Sequence, residues 1–421
     1  MDDIPGLLRV AREHHETGRL PQAEAIYRHI LRVQPDHPDA LHLLGAMAHQ
    51  MGDNALAVEL IARAIAAHPS APVYHSNLGS AYRALGRLDD AVARYRQALA
   101  LKPDYADAHY NLGVTLNDQG DLAEAAACFR RAIALQPDHV SAHHNLGVVC
   151  KARGEPDEAL ACLRRVVALQ PDHGIAQHLL ASMTGADSER APDQYVIHVF
   201  DDCADDFDSH LVERLGYDAP EQLAAYLRQL SQPPVAGWDV LDLGCGTGLA
   251  GAAMAPYARR LVGVDLSAGM LAKARARNLY QRLEQRELLS MMRGEPPSSY
   301  DVITATDVFI YVGKLDDVVR EAHRLLRRDG LFAFSVEALE APSPGDGGSG
   351  YRLAPSGRYA HSTNHLDQLA AAHGFHSHGL LRTRLRLEDG KPVQGWLVVW
   401  RNQAHQEDGD PLRMIFPEKM I

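Results

Sequence analysis

The chain has 421 residues, 46% of them hydrophobic, enough for two or three domains with cores of their own. Its 42 Lys and Arg are outnumbered by 54 Asp and Glu, a net charge of −12, which excludes nucleic acid as the main partner because phosphate binding needs a basic face. No stretch approaches the ~20 apolar residues of a membrane span, and the start Met1-Asp2-Asp3-Ile4 lacks a basic-then-apolar leader, so no membrane partner and a cytoplasmic location are expected. Cys128, Cys150, Cys162, Cys203 and Cys245 form no C-x-x-C pair and read as reduced thiols.

Proline sets a clock in the first part of the chain. Pro35, Pro69, Pro103, Pro137 and Pro171 are each 34 residues apart, and Gly45, Gly79, Gly113 and Gly147 keep the interval. A stack of identical helix pairs needs such a repeat, and a single globular core does not. In the third repeat His75, Leu78, Gly79 and Tyr82 share one helix face, and Ala91, Tyr95 and Ala98 share another. His109, Leu112, Gly113 and Leu116, then Ala125, Phe129 and Ala132, repeat the pattern. Glycine at the crossing lets the helices approach, Tyr95 or Phe129 fills the gap, and proline stops the second helix. Gly86, Gly120 and Gly154 fall between helices, where a left-handed C-cap is wanted.

This pattern resembles the tetratricopeptide repeat, in five repeats over residues 4 to 173. Ala11 replaces the first glycine, and His75, His109 and His143 stand where the family usually has tryptophan. We expect these histidines packed between helices, with no metal site. A helix near Gly174–Ser182 is expected to cap the stack. Asn77, Asn111 and Asn145 also recur every 34 residues. Long superhelices of this family hold an extended peptide with such a ladder, since an amide both donates and accepts. The other reading is a solvated amide copied by duplication. The partner implied is a protein or peptide in the repeat groove.

Composition shifts over Thr184–Pro192, and residues 184–194 read as a linker between a repeat domain, 1–183, and a second domain, 195–401. A helix is expected through about Leu230, ended by Pro233-Pro234. The densest signal follows: Val240-Leu241-Asp242-Leu243-Gly244-Cys245-Gly246-Thr247-Gly248-Leu249, a strand running into a glycine-rich turn and then a helix, Ala250–Tyr257. A second strand, Leu261–Asp265, ends on a carboxylate placed to accept hydrogen bonds from both ribose hydroxyls of a nucleoside. Gly246, Gly248 and Gly251 also match a dinucleotide fingerprint. Asp242 at the turn mouth argues against it, because a carboxylate repels a pyrophosphate and suits a cationic ligand.

The block from Asp242 to Gly248, with Gly263-Val264-Asp265-Leu266-Ser267, resembles class I S-adenosylmethionine-dependent methyltransferases over residues 195 to 401. The resemblance implies S-adenosylmethionine as cofactor. It places Gly244, Cys245, Gly246 and Gly248 beneath the methionine part, Asp242 toward its amino group, and Asp265 with Leu266 at the ribose. Glu287-Leu288 stands where the family usually has an aspartate at the adenine, and Asp307 after the fourth strand faces the reaction side. Phe200 and Phe207 resemble an aromatic lid. The remaining elements alternate as that fold requires: strands at Tyr300–Ala305 and Leu331–Val336, helices at Asp316–Arg327 and Ser362–His373, a turn at Arg328–Gly330, and a closing hairpin, Phe375–Leu387 with Val393–Trp400. The fold expected is multidomain, an all-α tetratricopeptide superhelix followed by an α/β Rossmann-like seven-stranded methyltransferase domain, with a tail at 402–421.

A neutral oxygen or nitrogen acceptor must lose a proton, which invites a base. Candidates on the acceptor side are His361, Tyr311 and Tyr359 as catalytic groups, with Arg358 and His210 binding the acceptor. Arg358 to Ser362 is read as the start of a helix, and Glu340–Gly350 as a loop, either lid or connector. The leading reading is methyl transfer to a protein or peptide recruited by the repeats. The rivals are a small-molecule acceptor with the repeats serving assembly, and a non-enzymatic scaffold.

Overall fold

The computed structural model describes residues 3–186, 188–201, 207–208, 216–231, 235–340, 350–388 and 390–403. It divides into two compact units, Met1–Ala176 and Gln177–Ile421. Of the expected site residues His210 lies outside the described residues, as do Pro233-Pro234, Cys203 and almost all of the tail.

In the first unit the 34-residue clock becomes helix pairs. They are α1 (Ile4–Glu16) with α2 (Leu20–Val33), α3 (Pro38–Gln50) with α4 (Asn54–Ala67), α5 (Pro72–Ala84) with α6 (Leu88–Leu101), α7 (Ala106–Asp118) with α8 (Leu122–Leu135), and α9 (Val140–Ala152) with α10 (Pro156–Leu169). The turns between partners rest on Gly86, Gly120 and Gly154 at φ 72°, 84° and 74°, a conformation in which a Cβ is strained. At the crossings a Cβ on Gly79 would lie 2.9 Å from the Tyr95 ring, and one on Gly113 2.7 Å from the Phe129 ring. The large residue therefore fills the space that glycine leaves, as the spacing predicts. His75, His109 and His143 each donate from Nε2 to the carbonyl of Pro69, Pro103 and Pro137, at 2.9, 3.0 and 2.9 Å. The histidine thus ties each helix start to the proline that stopped the previous helix.

The next helix, α11 (Gly174–Thr184), was expected to cap the stack, with the domain boundary after residue 183. The unit boundary instead falls inside it, at Ala176/Gln177. In the second unit His178 donates from Nε2 to the Gly357 carbonyl at 2.9 Å. The expected linker is also part of this unit: Ala191 N–H bonds to Tyr311 O, and the N–H groups of Gly313 and Lys314 bond to Glu189 O.

The second unit continues with α12 (Asp193–Asp201), α13 (Ala219–Ser231), β1 (Trp238–Leu243), α14 (Leu249–Met254), β2 (Ala258–Asp265), α15 (Ala268–Ala276), β3 (Arg282–Gln285), α16 (Leu288–Gly294), β4 (Tyr300–Ala305), α17 (Asp316–Leu325), β5 (Leu326–Ala338), β6 (Tyr351–Leu353), β7 (Tyr359–His361), α18 (Thr363–Ala372), β8 (Phe375–Glu388) and β9 (Lys391–Asn402). Strands β3, β2, β1, β4 and β5 lie side by side and parallel, β9 runs antiparallel against β5, and β8 pairs with β9. These are the seven expected strands. Two short ones, β7 and β6, join at the end of β5 through Glu337 and Ala338. The stretch Arg358–Ser362 is therefore mostly strand, and the helix begins after it, capped by the Ser362 hydroxyl. The expected turn at Arg328–Gly330 is a bulge within β5, with Asp329 at φ 60°. Strands β1 and β4 are almost wholly buried, which gives them the near-continuous apolar runs of a parallel sheet covered on both faces.

Because helical glycine ordinarily destabilises relative to alanine, the ring contact decides the sign at Gly113. Gly113→Ala is expected to lower stability by about 1–3 kcal/mol. Combined with Phe129→Leu, it should cost less than the two single changes added, as read by urea unfolding of the full chain followed by circular dichroism. Strict additivity contradicts the packing described.

Candidate active site

At the carboxyl ends of β1, β2 and β4 lies a cavity of about 740 Å³. Its floor is the glycine turn after β1: Gly244, Cys245, Gly246 and Thr247 line it, and Gly248 does not. Gly244 and Gly246 take φ 60° and 53°, and a Cβ on Gly244 would come within 2.5 Å of Val308. Gly248, at φ 90°, caps α14 and packs toward Arg277 and Tyr280 instead. Asp265 lines the cavity from the tip of β2. Its Oδ2 accepts from Gly246 N–H at 2.8 Å and its Oδ1 from Ser267 N–H at 2.9 Å. Burial raises its pKa, and these N–H groups pull it back. Leu266, Glu287 and Leu288 line the neighbouring wall. Glu287 also caps α16 through Ser290 N–H and meets Arg190 at 3.3 Å.

Asp242 departs from expectation. It is 1% exposed and absent from the cavity wall. Tyr280 donates to its Oδ2 at 2.7 Å and Thr304 to its Oδ1 at 2.9 Å, so both oxygens are spent inside the protein. Burial pushes its pKa up to about 6, with Tyr280 and Thr304 opposing. Asp242 therefore supports the turn from beneath, and the repulsion argument drawn from its position does not apply.

Phe200 and Phe207 do meet, edge to face at 5.8 Å, and both line the cavity. Each is followed by an aspartate that fixes it: Asp201 accepts from the Ser267 hydroxyl, and Asp208 accepts from Thr247 and pairs with Arg277. The repeated aromatic-Asp motif is legible in the sequence, whereas the partners of its two aspartates are not.

On the acceptor side the expected groups separate. Tyr311 and Arg358 line the cavity. Burial pushes the Tyr311 phenol up to about 12, with Arg358 opposing. Arg358 is paired with Glu388 at 2.6 Å. His361 and Tyr359 do not reach the wall, and both are fully buried. His361 donates from Nε2 to the carbonyls of Phe309 and Val312, at 3.3 and 3.1 Å, and burial lowers its pKa to about 4. A neutral histidine that lies off the cavity wall and gives its Nε2–H to two carbonyls ties β7 to the segment 309–312. Tyr359 donates to the Ser188 hydroxyl at 2.8 Å. What the sequence reading missed is Arg386, 3% exposed, which lines the cavity and binds both Asp307 and Glu337. Tyr217 and Arg190 also line the wall.

Asn77, Asn111 and Asn145 lie half-buried in α5, α7 and α9. Asn77 donates to His42 Nε2 at 2.8 Å and Asn145 to the Tyr110 hydroxyl at 3.4 Å, so these two amides already have partners within the array.

Comparison with known proteins agrees with this division. A methyltransferase-domain family model matches residues 241–332, and tetratricopeptide-repeat models match residues 8–72, 79–117 and 104–172. The chain carries tetratricopeptide repeats followed by a methyltransferase domain. Over 105 residues it is 33% identical to a ubiquinone biosynthesis O-methyltransferase of Pseudomonas aeruginosa, covering 24% of this chain and 45% of that one. Over 122 residues it is 36% identical to human methyltransferase-like protein 27, covering 29% and 47%. The chain thus spans about half the length of these relatives. Among solved structures, YrrB, described as a TPR protein with an unusual peptide-binding site, aligns with a TM-score of 0.37 at 24% identity, covering 42% of this chain and 91% of that one. No helix among the described residues is long and apolar enough to cross a membrane.

The burial of Asp242 has a sign in pH. Its pKa is about 6 against an ordinary 3.8, so the stability it permits is fully present below about pH 4 and is lost as pH rises to about 6. The loss amounts to about 3 kcal/mol at most. Asp242→Asn cannot ionise, so its stability relative to wild type should climb between pH 4 and 6 and then level off, measured by denaturant midpoints at each pH. A difference that does not vary with pH contradicts the burial reading.

Proposed function

We propose that this chain is an S-adenosylmethionine-dependent methyltransferase. The observation that carries the reading is the Asp265 carboxylate, gripped by Gly246 and Ser267 at the edge of a 740 Å³ cavity with a glycine floor. Each of its oxygens accepts one N–H and keeps acceptor capacity for the two hydroxyls of a ribose. Gly244 and Gly246 hold positive φ without side chains, so the backbone passes close to a bound methionine part. Leu266, Leu288 and Leu289 offer an apolar wall to a base, and Phe200 with Phe207 exclude water. The donor supplies a methyl group on a positively charged sulfur, which leaves as a neutral thioether. The protein's share is alignment and desolvation.

The acceptor enters this cavity. Tyr217, Tyr311 and Arg386 are 5%, 8% and 3% exposed, so an acceptor that touches them must be swallowed rather than docked. That favours a small molecule, with the repeat array binding a protein or peptide partner for assembly. The alternative, a side chain of a recruited protein, rests on the recurrent asparagines of the array.

By calorimetry, the wild type should bind S-adenosylmethionine, and Asp265→Ala should weaken binding at least about a hundredfold, the loss of two charge-assisted hydrogen bonds. Retained affinity contradicts the ribose assignment. With radiolabelled donor and a cell extract, label is expected in the small-molecule fraction. Label confined to protein would instead support recruitment by the repeats.

A further inference from the structure

Gly246, Gly248 and Gly251 match a dinucleotide fingerprint, yet of the three only Gly246 lines the cavity. The other two face Tyr280, in the loop between α15 and β3. A Cβ on Gly251 would overlap the Tyr280 hydroxyl. A Cβ on Gly248 would lie 3.1 Å from the Tyr280 ring, and one on Gly263 of β2 would lie 2.8 Å from it. Carbon atoms pack best at about 3.5–4.0 Å, so side chains at these positions would crowd the ring. Three glycines, two at the start of α14 and one on β2, thus form a hollow that the ring fills.

The hydroxyl of that ring ends on Asp242 Oδ2 at 2.7 Å, while Thr304 on β4 holds Oδ1 at 2.9 Å. Burial pushes the Tyr280 phenol up, so it keeps its proton and donates. The loop that carries Tyr280 is itself pinned to β2. Gln281 N–H donates to the Leu261 carbonyl at 3.0 Å, and Gln281 Oε1 accepts from Leu261 N–H at 2.6 Å. One chain of bonds therefore joins this loop, β1 and β4 at Asp242, two residues before the glycine turn begins. Tyr280 does not line the cavity, so its influence on a ligand passes through that turn.

We propose that Tyr280 is a positioning residue for the methyl donor: its ring and hydroxyl hold the glycine turn in the shape that receives the donor, and Gly248, Gly251 and Gly263 are glycines in order to admit it. This rests on the methyltransferase reading above. A ligand that fits one shape of a turn binds more weakly in proportion to the molecules that lack that shape. Removing the hydroxyl takes a donor from a carboxylate that is 1% exposed. A buried, charged oxygen without its partner is costly, so β1 must shift or admit water, and the turn it leads into moves with it. The third glycine of the fingerprint then serves a tyrosine, not a pyrophosphate.

Tyr280→Phe tests this by keeping the ring and removing the hydroxyl. Calorimetry of the full-length protein with S-adenosylhomocysteine separates two ways the change can act. A fold that is merely weakened leaves less folded protein and lowers the stoichiometry, whereas a displaced turn raises Kd at full stoichiometry. Tyr280→Phe is expected to raise Kd about tenfold with the stoichiometry unchanged. In an Asp242→Asn background the same change should raise Kd no more than about threefold, because the bond it removes there is to an uncharged amide. With isotope-labelled glycine nitrogen, the NMR signals of Gly244 and Gly246 should move in Tyr280→Phe, and those of Gly79 and Gly113 in the repeats should not. A Kd within about twofold of wild type, an equal rise in both backgrounds, or unmoved Gly244 and Gly246 signals overturns the proposal. So does a lower stoichiometry at unchanged Kd, which would leave Tyr280 a purely structural role. Wild type that fails to bind S-adenosylhomocysteine takes down the methyltransferase reading first, and is told apart by appearing without any substitution.

Discussion

The turn after β1 and the turn after β2 meet at one carboxylate. Asp265 accepts from Gly246 on one side and from Ser267 on the other, and Cys245 N–H adds a bond to the Val264 carbonyl. A glycine turn is the least rigid part of such a sheet, and this clamp gives it a fixed shape. The same atoms that hold the floor still are the ones a ribose would use. On the proposed reading, binding surface and scaffold are one structure, and removing the clamp loosens both.

Below that clamp the protein tolerates a second buried carboxylate, Asp242, at a cost in stability near neutral pH. Tyr280 and Thr304 partly offset the cost by donating to it. Asp307, just after β4, Arg386 on β8 and Glu337 on β5 form a largely buried charged cluster. Buried charge is poor stabiliser and good positioner, and its concentration at the strand ends fits a site built for geometry. The rest of the domain supplies the low-dielectric frame that makes those charges count.

The sequence made the repeats legible because every structural role recurs: a glycine at the crossing, an aromatic beside it, a proline at the stop. The floor of the cavity was legible for a different reason, since only glycine adopts the turn at Gly244 and Gly246 without strain. Asp265 was legible as the last residue of a strand. Arg386 was not. A period of two places it with Arg382 and Arg384 on the outer face of β8, yet a bulge between Arg384 and Arg386 turns both Leu385 and Arg386 inward. His361 misled for the opposite reason. A histidine just before a helix invites a chemical role, and only the fold reveals that its Nε2 is committed to two backbone carbonyls. Asp242 misled because a strand residue's side chain is sent to one face or the other by the pleat, and the motif alone did not say which.

A crystal structure of the full chain with S-adenosylhomocysteine tests the central claim most directly. The account predicts both ribose hydroxyls on the Asp265 carboxylate, with the sulfur open toward Asp307. A nucleoside bound elsewhere, or an Asp265 carboxylate that touches only Gly246 and Ser267 while the ligand is present, would contradict it.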